Sequence, residues 1–334
     1  MPFDIFMLFV SLCLILACCA IFVNAIECFG KALDLHQGII GSIFAAVGTA
    51  LPETMIPIIA IIFTKGEGAH AVGIGAIAGA PFMLATLAFF VTGVAVIIYT
   101  ILGKRTFAMK VNSSIMSKDL LFFLIIYSIA ITTSFFHQFI WLKICVGILL
   151  FLSYFIYLRL IINDNAEELE NVETLYLTKY IRLPENIPTI IAQISVALIF
   201  IVLGAHLFIV HVQSLSNVIG ISPLILSLII TPIATEMPEK LNSIIWIGRK
   251  KDTLAIGNIT GAMVFQSCIP VVFGMIFTPW KLRGMILVSA ALALASGFIV
   301  LLWLKIKKNL NPFILLCGGL FYVIFLFHAF VIFK

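Results

Sequence analysis

Three glutamates stand where everything around them is apolar. Glu53, Glu236 and Glu239 fall in the middle of long hydrophobic runs, whereas the other twelve acidic residues lie in polar stretches or near the ends of such runs. A carboxylate at bilayer depth is expensive, so function is its default explanation. Their surroundings also repeat: Gly48-Thr49-Ala50-Leu51-Pro52-Glu53 is matched by Ala234-Thr235-Glu236-Met237-Pro238-Glu239, with Thr, Pro and Glu all recurring at one common offset.

Helix geometry turns this x-T-x-x-P-E pattern into chemistry. Thr49 and Glu53 are four apart, as are Thr235 and Glu239, so hydroxyl and carboxylate share a face one turn apart. Pro52 has no N–H to offer the Gly48 carbonyl, and Pro238 withholds one from Ala234. Each copy therefore presents a carboxylate, a hydroxyl and a freed carbonyl. Oxygen-only ligands suit hard cations such as calcium, sodium or magnesium, and the lack of a His or Cys cluster argues against zinc or copper. Two glutamates facing each other across a pseudo-twofold axis balance a divalent ion, so cations and protons are expected to compete for them.

The elements that must position these groups are membrane helices. Of 334 residues, 63% are hydrophobic and 10% charged, with a mean hydropathy of +1.22, against about 25% charged in a soluble domain. A water-soluble globular fold is excluded. Splitting the apolar runs at charges and turn residues predicts an all-α polytopic protein of ten transmembrane helices. They cover about 5–27, 38–64, 69–102, 119–137, 139–162, 187–211, 217–247, 253–279, 284–305 and 310–333. The third run is long for one span; it is tilted, bent at its glycines, or split in two. Met1 to Ile26 has no basic leader and reads as a first span rather than a cleaved signal.

Loop charges orient the spans. Fourteen Lys and Arg, among them Lys104, Arg105, Arg249, Lys250 and Lys251, fall on the side of the loops after odd-numbered helices, and five fall on the other. The positive-inside rule then puts both termini outside and the polar stretch 163–186 in the cytoplasm. The charges are scattered over short loops, so no nucleic-acid partner is expected. The seven cysteines lack a CxxC pair and read as small core hydrophobes.

The repeat extends past the hexapeptides. Ala71-Val72-Gly73 is echoed by Ala255-Ile256-Gly257, and Gly79-Ala80 by Gly261-Ala262. The chain divides into a first five-helix repeat (1–162), an acidic linker (163–186) and a second five-helix repeat (187–334). Five is odd, so the second copy enters the membrane inverted, the architecture of a secondary transporter with its site between the halves.

With GTALPE, ATEMPE and the downstream AIGNITGAMVF of residues 255–265, the chain resembles the alpha repeats of the sodium/calcium exchanger branch of the calcium/cation antiporters. The resemblance implies a central site where calcium and sodium bind in turn, with exchange by alternating access in a cell membrane. It makes Glu53 and Glu239 the paired calcium-binding glutamates and Thr49 and Thr235 oxygen ligands. The short linker is similar to the prokaryotic type. Where the family motif carries Ser, this chain has Ala50 and Glu236; where it carries G-S-N-x-x-N/D, the chain has Gly79-Ala80-Pro81-Phe82-Met83-Leu84 and Gly261-Ala262-Met263-Val264-Phe265-Gln266. Gln266 keeps an amide, and Asn258 keeps the Gly-Asn of the motif.

Glu236 and Lys240, four apart, have three readings: a pair that neutralises itself, a third site carboxylate within about a 100° arc of positions 235 and 239, or an ammonium standing where relatives take sodium. The linker reads as a solvated, partly helical connector, and His206, His211 and His328 as interfacial or packing residues. The expected activity is a cation antiporter exchanging Ca2+ for Na+, with H+ as the alternative counter-ion. Its partners are inorganic cations and the lipid bilayer, and no cofactor or enzymatic role is expected. Rival classes are an intramembrane hydrolase, which lacks an HExxH helix, and a non-transporting cation-binding protein; no phosphate loop supports ATP-driven pumping.

Overall fold

The computed structural model describes residues 2–32, 51–64, 67–164 and 173–329. Helices dominate it: α1 (Pro2–Ala32), α2 (Leu51–Ile58), α3 (Glu67–Met83), α4 (Phe89–Ile101), α5 (Ser113–Phe135), α6 (Ile140–Asp164), α7 (Tyr176–Ile181), α8 (Ile187–Ile219), α9 (Pro223–Thr235), α10 (Met237–Gly248), α11 (Asp252–Phe277), α12 (Met285–Lys307) and α13 (Pro312–Phe327). Among the described residues, seven helical runs are long and apolar enough to cross a membrane, and three shorter apolar helices, Glu53–Phe63, Pro223–Ile233 and Pro312–Phe327, accompany them. The chain is a multi-pass membrane protein.

Proline shapes several of these runs. The expected long third span is one helical run, Gly68–Ile101, with a π-helical turn at Leu84–Ala88 between α3 and α4. Pro81 cannot donate to the Ile77 carbonyl, and the helix rewinds three residues later. The expected continuous span 217–247 is instead two helices, α9 and α10, broken at Glu236. Only the part of span 38–64 from Leu51 onward lies among the described residues.

Two bodies of packing result. In one, α1 lies along α8, and Ile15, Ile201, Ala205 and Phe208 form a core with Ile56 and Ile59 of the α2 run. In the other, α11 packs against α5, α6 and α10, while α13 packs against α4. Its core includes Phe82, Phe123, Tyr127 and Trp280.

The contact between α3 and α9 joins the chain's first half to its second, and glycine makes it possible. A Cβ at Gly75 would stand 2.5 Å from the Leu224 carbonyl oxygen, and one at Gly79 would stand 2.6 Å from that of Leu228. The two backbones therefore touch, as small residues permit at membrane helix crossings.

Two polar ties hold the loops. Arg105, after α4, makes a bidentate pair with Asp252 at 2.7 and 2.9 Å and also donates to the Ile247 carbonyl at the end of α10. Both charged side chains are buried, so Arg105 is a structural clamp. The second tie lies in residues 173–181, where α7 is the helical part of the expected connector and keeps an exposed outer face, while its inner side is held to the bundle. Asn24 Oδ1 accepts from the Tyr176 N–H at 2.9 Å, and Gln193 Oε1 accepts from the Leu177 N–H at 2.9 Å. These are early N–H groups of α7 that no helical carbonyl can reach. Leu175 is buried beside Ala25, Cys28 and Ile190, so this part of the linker is docked on α1 and α8.

Candidate cation site

The break between α9 and α10 is built by local chemistry. Pro232 lies inside α9, and Pro238 occupies the first turn of α10, where a missing N–H costs nothing. Between them Glu236 leaves the helical path at φ −87°, ψ 11°. Its N–H still reaches the Pro232 carbonyl at 3.1 Å, and its own carbonyl accepts from the Lys240 N–H at 3.2 Å. The freed Ala234 carbonyl expected from Pro238 thus sits one residue before the end of a helix rather than inside one.

A polar stripe descends α9 to this break. Ser227 donates to the Val72 carbonyl of α3 at 2.7 Å and lies 3.0 Å from the Thr231 hydroxyl. Thr235 donates to the Thr231 carbonyl at 2.9 Å. The Thr235 hydroxyl has spent its hydrogen on its own helix, which leaves its oxygen lone pairs to accept or to coordinate.

The three glutamates are all buried, with Glu53 4%, Glu236 0% and Glu239 1% exposed. Glu239, Glu236 and Lys240 all lie within electrostatic range of Glu53. Cys19 of α1 borders Glu53 as well. Asn258 of α11 donates to the Glu239 carbonyl at 3.3 Å and so ties α10 to the neighbouring helix.

Buried polar atoms are normally hydrogen-bonded, and the exceptions call for a reason. Among the described residues, eight buried side-chain N or O atoms have no partner; five of them are Glu53 Oε2, Glu236 Oε1, both Glu239 oxygens and Gln266 Oε1. No protein N–H or hydroxyl is directed at these five acceptors, and a hard cation or a proton shared between neighbouring carboxyls is what would meet them. Gln266 is 1% exposed on α11, a helix that touches α2. No three His, Cys, Asp or Glu side chains among the described residues already converge as a metal cage. Lys240 explains part of this: its ammonium stands 3.1 Å from Glu236 Oε2 and 3.2 Å from the Pro232 carbonyl oxygen.

Two predicted site residues, Gly48 and Thr49, lie outside the described residues. Of the others, Glu53, Glu236 and Glu239 lie within electrostatic range of one another without converging as a three-carboxylate cage, Thr235 and Ala234 flank the break, and Gln266 is buried on α11.

Sequence reasoning missed Asp119. It begins an apolar run and so reads as an interfacial charge, yet it lies in the second turn of α5 and is 2% exposed. It accepts from the Tyr157 hydroxyl of α6 at 2.9 Å and from the Thr260 hydroxyl of α11 at 2.6 Å. The available signal was Thr260, a hydroxyl two residues after Asn258 in the repeat segment.

His211 is an interfacial pair, with Nδ1 3.2 Å from Asp4 Oδ1 and its ring edge-on to Phe3. All seven cysteines are free thiols; Cys13 and Cys145 are exposed rather than in the core.

Comparison with known proteins bears on the family and the fold. The family model described as sodium/calcium exchanger protein matches residues 3–163 and 189–331, leaving a gap at the linker. Inner membrane protein YrbG of Escherichia coli (strain K12) is 23% identical over 306 residues, covering 90% of this chain and 88% of the relative. The fold is similar to that of the H+/Ca2+ exchanger CAX, with a TM-score of 0.73 at 15% identity over 97% of this chain and 82% of that one. It is similar too to the sodium-calcium exchanger NCX_Mj, with a TM-score of 0.57 at 17% identity over 97% of both chains. The family match spans nearly the whole chain on both sides of the linker, and it carries both copies of the proline-glutamate motif: the chain belongs to the sodium/calcium exchanger protein family.

Proposed function

We propose that this protein is a secondary active antiporter exchanging Ca2+ for Na+ by alternating access, at a central site built from Glu53, Glu239, Thr49, Thr235, Glu236, Gln266 and the carbonyls of Gly48 and Ala234. In this reading ten helices form two inverted five-helix repeats, 1–162 and 187–334, joined by a cytoplasmic linker, with both termini outside.

The observation that carries it is the cluster of buried, donorless oxygens on Glu53, Glu239, Glu236 and Gln266. Leaving a buried acceptor unmet costs about 1 to 3 kcal/mol, more for a charged group, and a hard cation is the partner that meets several at once. Breaking α9 from α10 at Glu236 supports the reading further, because discontinuous helices supply backbone carbonyls to ions in transporters.

A second reading, H+ as the counter-ion, is favoured by particular residues. Ala50, Ala80 and Leu84 offer no oxygen side chain where the family motif places Ser or Asn, and Glu236 adds a third carboxylate. The H+/Ca2+ exchanger among the structural neighbours fits that alternative.

Calcium uptake into liposomes containing the purified protein decides between the two, with a sodium gradient in one set and a proton gradient in the other. Uptake driven by either gradient and abolished by Glu53→Gln is the expected result. Uptake that survives Glu53→Gln rejects the central site, and no uptake in either set rejects calcium antiport.

A further inference from the structure

Lys240 is the residue the transport reading leaves unexplained. A lysine in the middle of a membrane span, beside the carboxylates that are to bind a cation, is an expensive competitor for them. It is 5% exposed, and its ammonium donates to two oxygens: Glu236 Oε2 at 3.1 Å and the Pro232 carbonyl at 3.2 Å. One is a carboxylate and the other a backbone carbonyl just before the helix break. That is the kind of oxygen set a monovalent metal ion takes in a discontinuous-helix site.

We propose that Lys240 is a resident cation of the site, occupying one monovalent cation position throughout transport, so that the carrier exchanges one divalent cation for two monovalent ones and moves no net charge. The inference rests on the antiport reading above. Glu53, Glu236 and Glu239 bring three negative charges and Lys240 returns one, leaving two. A divalent cation neutralises that remainder, and so do two monovalent cations.

Among the described residues, the charged side chains that act on Glu53 are Glu239, Glu236 and Lys240. Asp119 is engaged by Tyr157 and Thr260, and the Lys143 ammonium donates to the Thr278 carbonyl at the end of α11. The tether matters too. A cation delivered by its own helix binds as an intramolecular partner at high effective concentration, whereas a free ion must compete from solution. Lys240 lies in α10 and reaches back to a carbonyl of α9, so it also staples the two halves of the broken helix.

The test uses the full-length protein in liposomes, with calcium as the probe and membrane potential set by potassium and valinomycin. One unbalanced charge gains about 2.3 kcal/mol per 100 mV, which changes the calcium accumulation ratio roughly 50-fold. The wild type is expected to reach the same accumulation at +100, 0 and −100 mV, under whichever gradient drives uptake. Lys240→Met opens the position to an extra monovalent ion, and its accumulation should then shift with potential by up to that factor. Lys240→Arg keeps the charge and should stay insensitive.

Calcium uptake by the wild type that shifts with potential overturns the resident cation while leaving antiport intact. Potential-insensitive uptake by Lys240→Met also overturns it. Absence of wild-type uptake under both gradients overturns the antiport reading itself, and the inference with it. If Lys240→Met does not fold, the wild-type measurement still decides, because it needs no variant.

Discussion

The Thr260 hydroxyl donates to Asp119 Oδ2 at 2.6 Å, a buried bond between α11 and α5. Tyr157 completes the arrangement from α6, so one carboxylate holds three helices by two hydrogen bonds. Because α11 carries both Asn258 and Gln266, Asp119 sets the position of the helix that flanks the glutamates.

Hydrogen bonds to a charged acceptor contribute about 1.5 to 3 kcal/mol each. Asp119→Asn replaces one acceptor oxygen by a donor, so either Tyr157 or Thr260 loses its partner. The variant is expected to be less stable by about 2 kcal/mol, seen as a lowered unfolding temperature in detergent. Thr260→Val removes the Oδ2 bond outright and should show a similar loss, and the double variant should lose less than the sum of the two, because both act on one hydrogen-bonded group.

Glu236 and Lys240 lend themselves to a charge cycle. Glu236→Gln leaves the ammonium buried without its carboxylate, and breaking a buried pair from one side costs about 3 to 5 kcal/mol. Calcium affinity should fall at least about tenfold, or roughly 1.4 kcal/mol. The double variant Glu236→Gln with Lys240→Met restores the net charge of the cluster and should recover most of that loss in a calorimetric titration. Equal losses in single and double variants would refute the charge argument.

Gly79 tests the contact between α3 and α9. A methyl group there would meet the Leu228 carbonyl oxygen at 2.6 Å and Pro232 Cγ at 2.7 Å, neither of which is a flexible chain end. Overpacking of this kind costs about 1 to 3 kcal/mol. Gly79→Ala should therefore lower the unfolding temperature and, by pushing on Pro232, weaken calcium binding. Gly103, with open space around it, is a poor control because its φ is +69°; Gly257, which has neither problem, is the better one.

Arg105 and Asp252 form a buried bidentate pair. Asp252→Ala leaves the guanidinium with carbonyl partners only and is expected to destabilise the protein by about 3 to 5 kcal/mol. Replacing both, as Arg105→Met with Asp252→Leu, should recover a large part of that in the same thermal assay.

The docked linker makes a simpler prediction. Asn24→Ala removes the acceptor of the Tyr176 N–H and a partner of Gln193. Residues 173–181 should then open more often, and trypsin should cut after Lys179 and Arg182 faster than in the parent protein, since proteolysis tracks the population of the open form. An unchanged cleavage rate would show that burial of Leu175, rather than the hydrogen bonds, holds the linker.

Much of this protein was legible before any coordinates. Hydropathy is enough for membrane helices, because uninterrupted apolar runs of about 20 residues satisfy their backbone in lipid as helices, whereas barrel strands are short and alternate apolar with polar residues. Glu53, Glu236 and Glu239 stood out because charge inside an apolar run is rare, and the duplicated Thr-x-x-Pro-Glu pattern tied two of them to one purpose. What the sequence could not determine was which oxygens keep a partner. Asp119 and the glutamates are alike as letters, yet one is satisfied by Tyr157 and Thr260, while both oxygens of Glu239 have no donor. Likewise Asn24 and Gln193 look like stray polar residues until α1 and α8 bring them to the first turn of α7. Periodicity and composition act along the chain and therefore declare helices; hydrogen-bond satisfaction depends on neighbours from other helices, 16 to 152 residues away in these cases, and only the packed structure decides it.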